Sequence, residues 1–250
     1  YRKANEDYTK NYMDLMLSFN KELSTDFTLS AMAGASFEDI SESGNTWRSQ
    51  GLRYNGMFST NNNKKDPKTA ARDFGYNRSE AMNAVFGSAQ LAFRHYLYLD
   101  VTARNDWSSR LPKEDRSFFY PSVGVGFVFS DAMKQKPSWL DYGKVRASYA
   151  VVGNATPSIY FANNKFEIST YNGSVLMNQF GSEVPPTVIV PEKSYSWEIG
   201  LELKTLDNRL GMDLAYFSNE VRNQIISLSV APSSGASKYK TNAGTLGNSG

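Results

Sequence analysis

The chain has 250 residues and no cysteine, which excludes disulfides and thiolate metal sites. Its 27 Lys and Arg nearly balance 25 Asp and Glu, and the net charge of +2 offers no basic face for nucleic acid. No stretch approaches the ~18 apolar residues of a membrane-spanning helix, but a spanning barrel strand shows only alternation over ~10 residues.

The first residues, Tyr1, Arg2, Lys3, Ala4, Asn5 and Glu6, carry no apolar signal segment; the expectation is that a leader was removed or that the start lies far upstream. From there period two dominates. Residues 11–20 set Met13, Leu15, Leu17 and Phe19 on one face, with Tyr12, Asp14, Met16 and Ser18 on the other. Successive strand side chains point to opposite sides, so this is a strand with one apolar and one polar face. Residues 25–38 repeat the pattern, with Phe27, Leu29, Ala31, Ala33, Ala35 and Phe37 against Thr28, Ser30, Met32, Gly34 and Ser36. Residues 85–94 alternate through Gly87, Ala89, Leu91 and Phe93, and residues 96–104 through Leu97, Leu99, Val101 and Ala103. Residues 118–130 carry Phe119, Val123, Val125, Phe127 and Phe129 on the apolar side. Residues 144–152 carry Val145, Ala147, Tyr149 and Val151 against Lys144, Arg146 and Ser148. Residues 196–204 carry Trp197, Ile199, Leu201 and Leu203 against Glu198, Glu202 and Lys204. Residues 210–217 carry Leu210, Met212, Leu214 and Tyr216 against Asp213, and a ninth strand is expected to begin near Gly250.

The connections alternate in length. Short turns fall at 21–24, 94–95 and 206–209, with a compact link holding one helical turn at 137–141. Long loops are expected at about 39–83, 105–117, 153–195 and 218–249. Short turns at one end and long loops at the other are the habit of a transmembrane β-barrel, with the short turns in the periplasm. A ~10-residue strand rises ~33 Å, and a ~40° tilt reduces this to the ~25 Å apolar band of an outer membrane. Apolar-face aromatics gather at both ends: Phe19, Phe27, Phe93 and Phe127 near the turns, and Phe37, Phe119, Trp197 and Tyr216 near the loops. Two such girdles are expected where rings meet headgroups.

Two other architectures produce related patterns. A soluble sandwich also alternates, but its strands are typically ~5–6 residues and it has no reason to segregate long loops. A small barrel can close with about eight strands and serve adhesion or surface structure. The present chain begins in what reads as the tail of a loop and ends at Asn248, Ser249 and Gly250 with no final strand. A sheet edge cannot stay open in lipid, so the expectation is all-β: about eight antiparallel strands of a larger transmembrane barrel.

Residues 99–109, running Leu99, Asp100, Val101, Thr102, Ala103, Arg104, Asn105, Asp106, Trp107, Ser108 and Ser109, begin a series of motifs. Phe119, Tyr120, Pro121, Ser122, Val123 and Gly124 follow. Next come Pro191, Glu192 and Lys193, then Ser196, Trp197, Glu198, Ile199, Gly200, Leu201 and Glu202, and then Asn208, Arg209 and Leu210. Asn242, Ala243 and Gly244, with Asn248, Ser249 and Gly250, end the series. In content, order and spacing these stretches resemble the barrel of the SusC/RagA-type TonB-dependent outer-membrane transporters, while residues 1–98 match only in general character. The resemblance implies a plugged barrel of about 22 strands in the outer membrane of a Gram-negative bacterium. It further implies capture of oligosaccharide or peptide with a SusD-like surface lipoprotein, driven by TonB pulling on the plug. No recognisable plug domain or TonB-contacting segment occurs in these residues.

Enzyme chemistry finds little purchase. The single histidine, His95, sits in a tight turn, Glu114 and Asp115 are sequence neighbours, and Gly124 with Gly126 lies inside a strand rather than in a dinucleotide loop. Asn61, Asn62, Asn63 and Asp66 offer oxygen ligands without calcium-loop spacing. The expectation is no catalytic residue, cofactor or metal. Loop aromatics and Arg are the ligand-binding candidates: Trp47, Arg53, Tyr54, Trp107, Tyr160 and Tyr171. Rings stack on sugars and Arg grips carboxylates or hydroxyls, although such residues also pack loops together. Asp14, Arg94, Asp100, Arg104, Arg146 and Glu198 are expected to face the lumen. On this assignment Leu99→Arg is costly and Arg104→Leu mild.

Overall fold

The structure, a computed structural model, describes residues 2–48, 51–59, 62, 72–154, 166–171, 174–180, 183–184, 190–231, 233 and 236–250; side chains at 47–48, 72–74, 166–171 and 174–180 are outside that description. The strands are β1 (Arg2–Glu22), β2 (Phe27–Arg48), β3 (Arg72–Phe93), β4 (Leu97–Ser108), β5 (Ser117–Phe127), β6 (Leu140–Asn154), β7 (Phe166–Tyr171), β8 (Ser174–Phe180), β9 (Glu183–Val184), β10 (Glu192–Thr205), β11 (Leu210–Arg222), β12 (Ile225–Ser229), β13 (Lys238–Asn242) and β14 (Thr245–Ser249). Nine form one sheet in the order β1-β2-β3-β4-β5-β6-β10-β11-β14, which leaves β1 and β14 as its two edges. A three-stranded sheet (β12-β13-β9) and a hairpin (β7-β8) lie in the connections.

All eight expected strands are present, and the ninth begins at Thr245, ahead of the expected Gly250. The expected loop boundaries need correction. Residues 39–48 and 72–83 are strand, β4 runs on to Ser108, and the two later loops contain β7 to β9 and β12 to β14. The helical turn is at Phe129–Ala132 rather than at 137–141. There a simple turn closes instead, the Leu140 amide donating to the Pro137 carbonyl at 3.0 Å.

Contacts divide the chain into two units: Tyr1–Met13 with Phe37–Met82, and Asp14–Ser36 with Asn83–Gly250. In the first, Lys10 pairs with Glu38 at 2.9 Å. The Tyr76 hydroxyl donates to Glu42 at 3.0 Å, and the Arg78 guanidinium lies over the Tyr76 ring. The hydrogen bond to that carboxylate, with burial next, raises the Tyr76 pKa.

In the second unit the register sets like against like. Leu97, Leu99 and Val101 stand opposite Phe127, Val125 and Val123. Val123, Val125 and Phe127 in turn face Tyr149, Ala147 and Val145. Trp197, Ile199 and Leu201 face Tyr149, Ala147 and Val145, and Ile199, Leu201 and Leu203 face Tyr216, Leu214 and Met212. Cross-strand pairing of this kind is the unit of sheet stabilisation, and a one-residue slip would invert every face. The apolar face so built is not covered. Leu99 is 39 % exposed, Ile199 53 % and Leu214 56 %. Buried apolar residues among the described ones are few, the main cluster being Leu111 and Phe118 with Tyr120 and Ile225 against it. A soluble chain of this length would hide such residues in a core.

Neighbouring short turns are fastened to one another. Arg94 and His95 form a two-residue hairpin turn with φ of 48° and 59°, closed by the Tyr96 amide donating to the Phe93 carbonyl. Asp26, from the β1–β2 turn, accepts from Arg94 Nε at 2.8 Å and Nη2 at 3.2 Å, and its carbonyl accepts the Arg94 amide. The expectation that Arg94 faces the lumen is thus corrected: it belongs to the turn end, bound to Asp26, and does not line the polar face of the strands. Leu206, Asp207 and Asn208 are all left-handed, with φ of 57°, 57° and 61°. Their turn is held by the Leu206 amide on the Trp139 carbonyl and the Asn208 amide on Asp141 Oδ2 at 2.9 Å.

The Arg94 hydrogen bonds hold the Asp26 carboxyl below its ordinary value of 3.8. The unfolded chain then binds this proton more readily, so the pair's contribution is present above pH ~4 and fades as the pH falls through the lowered native value. Asp26→Asn is expected to flatten the acid limb of an unfolding-versus-pH curve below pH ~4 and leave the neutral limb shallow.

A line of rings follows the same turns. Phe27 and Phe93 centroids are 4.8 Å apart, Phe93 and Tyr96 5.5 Å, and Tyr96 and Phe127 6.1 Å. At the loop end Trp197 and Tyr216 are 5.5 Å apart on the apolar face.

Candidate functional site

The polar face of the second unit carries the groups able to meet a solute. Its strand-to-strand contacts are hydroxyls, amides and ion pairs. Thr102 and Ser122 share a 2.7 Å hydrogen bond, and Gln90 Nε2 donates to Asp100 at 2.7 Å. Among the described residues, two hollows open on this face. One, of about 330 Å³, is lined by Ser18, Asn20, Ser30, Ser88, Gln90 and Asp100 among others. The other, of about 410 Å³, lies against Met32, Phe86, Thr102, Arg104, Tyr120 and Ala150 among others.

Arg146 reaches carboxylates on two strands. Its Nε donates to Glu198 at 3.2 Å on the adjacent β10, and its Nη2 lies 3.0 Å from Asp213 on β11, one strand further. Gly200 stands between, directly opposite Arg146 in register. A Cβ there would sit 2.6 Å from Arg146 Nε, so the side chain crosses β10 because glycine leaves the path open. Gly200→Val is expected to displace Arg146 and cost ~1–3 kcal/mol, read as a lowered midpoint in urea unfolding.

The second cluster lies at the loop end of β4 and β5. Asp106 is 5 % exposed. Arg104 Nε donates to it at 2.7 Å and the Tyr120 hydroxyl donates to its other oxygen. Arg104 also touches the Tyr120 hydroxyl at 3.0 Å and Ser36 at 3.4 Å, with its guanidinium over the Phe86 ring. The Phe86 ring fits over Gly34, where a Cβ would come within 2.6 Å of it. This grouping works as a brace, its carboxylate, hydroxyls and guanidinium bonded to one another. Burial of Phe118 and Leu111 behind it joins the β4–β5 loop to Ile225 at the start of β12.

Asp100, Arg104, Arg146 and Glu198 thus share the polar face with their partners, and Asp14 is exposed on β1. Of the loop candidates, Trp107 alternates with Leu99, Val101 and Ala103, so it stands on the apolar face at the end of β4 and not over the hollows. Arg53 and Tyr54 are exposed. The Tyr54 backbone is pinned by Asn62, whose Oδ1 accepts its amide at 3.0 Å and whose Nδ2 donates to the Tyr54 and Met57 carbonyls at 2.7 Å. That amide is committed to backbone, which leaves it poorly placed as a calcium ligand. The side chains of Trp47 and Tyr171, and the whole of Tyr160, lie outside the described residues. The sequence reading missed Asp106, Tyr120, Asp213 and Asp26 as partners. Asp106 and Arg104 are two apart and so share a face, a signal hidden when 105–117 is read as loop.

A family model described as TonB dependent receptor-like, beta-barrel matches residues 1–250. TonB-dependent receptor P3 of Formosa agariphila is 26% identical over all of this chain and 25% of its own length, and TonB-dependent receptor P26 of the same organism is 22% identical over 94% of this chain and 24% of its own. The chain therefore spans about a quarter of the curated relatives it matches. Among solved structures, the RagAB peptide transporter superposes with a TM-score of 0.87 at 19% identity, over 99% of this chain and 27% of that one. The closed-closed state of the RagAB peptide importer gives 0.90 at 18% identity, with the same coverage. With a full-length family match and a shared fold, the chain belongs to the TonB-dependent receptor-like β-barrel family, of whose barrel it forms one segment.

Proposed function

We propose that this segment is part of the wall of an importer in the outer membrane of a Gram-negative bacterium. The cargo is peptide or oligosaccharide, handed over by a SusD-like surface lipoprotein and released inward when TonB acts on a plug held in the barrel. The observation that carries the reading is the uncovered apolar face backed by a polar face of paired charges, an arrangement suited to hydrocarbon outside and a wet lumen inside. Peptide is the first choice of cargo, because the fold is shared with a peptide transporter. Arg53 and Tyr54, with Trp47, Tyr160 and Tyr171, are the loop groups proposed to meet it, and no cofactor, metal or catalytic step enters. Deleting the gene of the full-length receptor is expected to abolish uptake of a labelled peptide or glycan pool that complementation restores. Recovery of the receptor in the soluble fraction, or unchanged uptake of both pools, would end this reading.

A further inference from the structure

Alternate residues of β10 and β11 on the apolar face change character in order along the strands. Leu201 and Ile199 stand beside Leu214 and Tyr216, and Trp197 comes next, beside Ser218. Beyond these, Tyr195 faces Glu220, and Lys193 faces Arg222 directly. The Arg222 guanidinium lies 4.8 Å over the Tyr195 ring. Glu220 takes its Nε at 2.8 Å and Nη2 at 2.9 Å, so Nη1 points away from that pair. The Arg222 side chain is 53% exposed. Two cations and one carboxylate leave a net positive row, beside the Tyr195 ring, on the face turned away from the polar hollows.

Cargo on the polar side does not reach these groups. What stands immediately past an apolar band on its outer side is the headgroup layer, where aromatics and cations bind phosphate and sugar. We infer that Lys193, Arg222 and Tyr195 form a binding site for the phosphate-bearing saccharide headgroup of an outer-leaflet glycolipid. Arg222 Nη1 and Lys193 Nζ donate to phosphate oxygen, while the Tyr195 hydroxyl meets the sugar. The Glu220 pair fixes the guanidinium so that one edge is presented outward. This rests on the membrane reading above and adds a ligand to a face which that reading leaves unoccupied.

The test titrates the full-length receptor in detergent with diphosphoryl lipid A, with its dephosphorylated counterpart and with inorganic phosphate, scoring bound ligand by native mass spectrometry. Diphosphoryl lipid A is expected to bind at least tenfold more tightly than the dephosphorylated form. Lys193→Ala/Arg222→Ala is expected to lose that advantage, and Arg222→Lys to keep part of it. Equal binding of both lipid forms, undiminished binding by the double variant, or inorganic phosphate binding as tightly as the lipid would overturn the site. Resistance of the folded band to detergent shows that each variant is folded. Fractionation and cargo uptake separate the two ideas: a receptor in the outer membrane that imports but ignores lipid A defeats this site alone.

Discussion

Leu99→Arg in the full-length receptor is expected to lower folding stability in lipid vesicles by ~2–4 kcal/mol, the cost of a cation near the middle of the apolar band. Leu99 stands opposite Val125 on β5, whose other neighbour is Ala147 on β6, so no polar group of these strands lies beside the new charge on that face. Thr102→Arg, three residues along on the opposite face, is expected to change stability by ~0.5 kcal/mol or less, since its hydroxyl meets only Ser122 in an exposed position. A urea titration of both variants measures the difference. Equal effects would mean that the two faces are not in different solvents.

Arg104→Leu is expected to cost ~3–5 kcal/mol, the penalty for leaving a buried carboxylate without its cation. Alternation alone suggested a mild change, on the view that a lumen arginine keeps company with water. The structure overturns that view, because Asp106 is nearly inaccessible and takes its charged hydrogen bond from Arg104 Nε. Adding Asp106→Leu to Arg104→Leu is expected to recover much of the loss, since it removes the orphaned charge. The same titration, run as a double-mutant cycle, checks it. A single variant as stable as the parent would mean that Tyr120 and water suffice for Asp106.

The strands could be read where their two faces differ. Residues 11–20 and 25–38 pair apolar with polar positions, so those parts of β1 and β2 are legible in the sequence. Residues 2–10 and 39–48 are polar on both faces: Lys3, Asn5, Asp7 and Thr9 alternate with Glu6, Tyr8 and Lys10. Hydrophobic period carries no information there, so the sequence alone reads these extensions as loop. The helical turn was misplaced because Pro137 is a good first helical residue, whereas Phe129 owes its position to tertiary contact, its ring lying against Gly143. At the site, the same-face grouping of Asp100, Arg104, Arg146 and Glu198 was legible from parity. Their partners were not, since Arg146 meets Asp213 only through a register and a gap at Gly200 that the sequence does not display.

The fastened turns have a mechanical consequence. Each bond from Asp26 to Arg94, and from Trp139 and Asp141 to the Leu206 turn, joins one hairpin to another at its base. A load applied at a single hairpin is therefore shared sideways before any strand ladder begins to unzip. Such linked turns make that end of the sheet stiffer than separate hairpins would be.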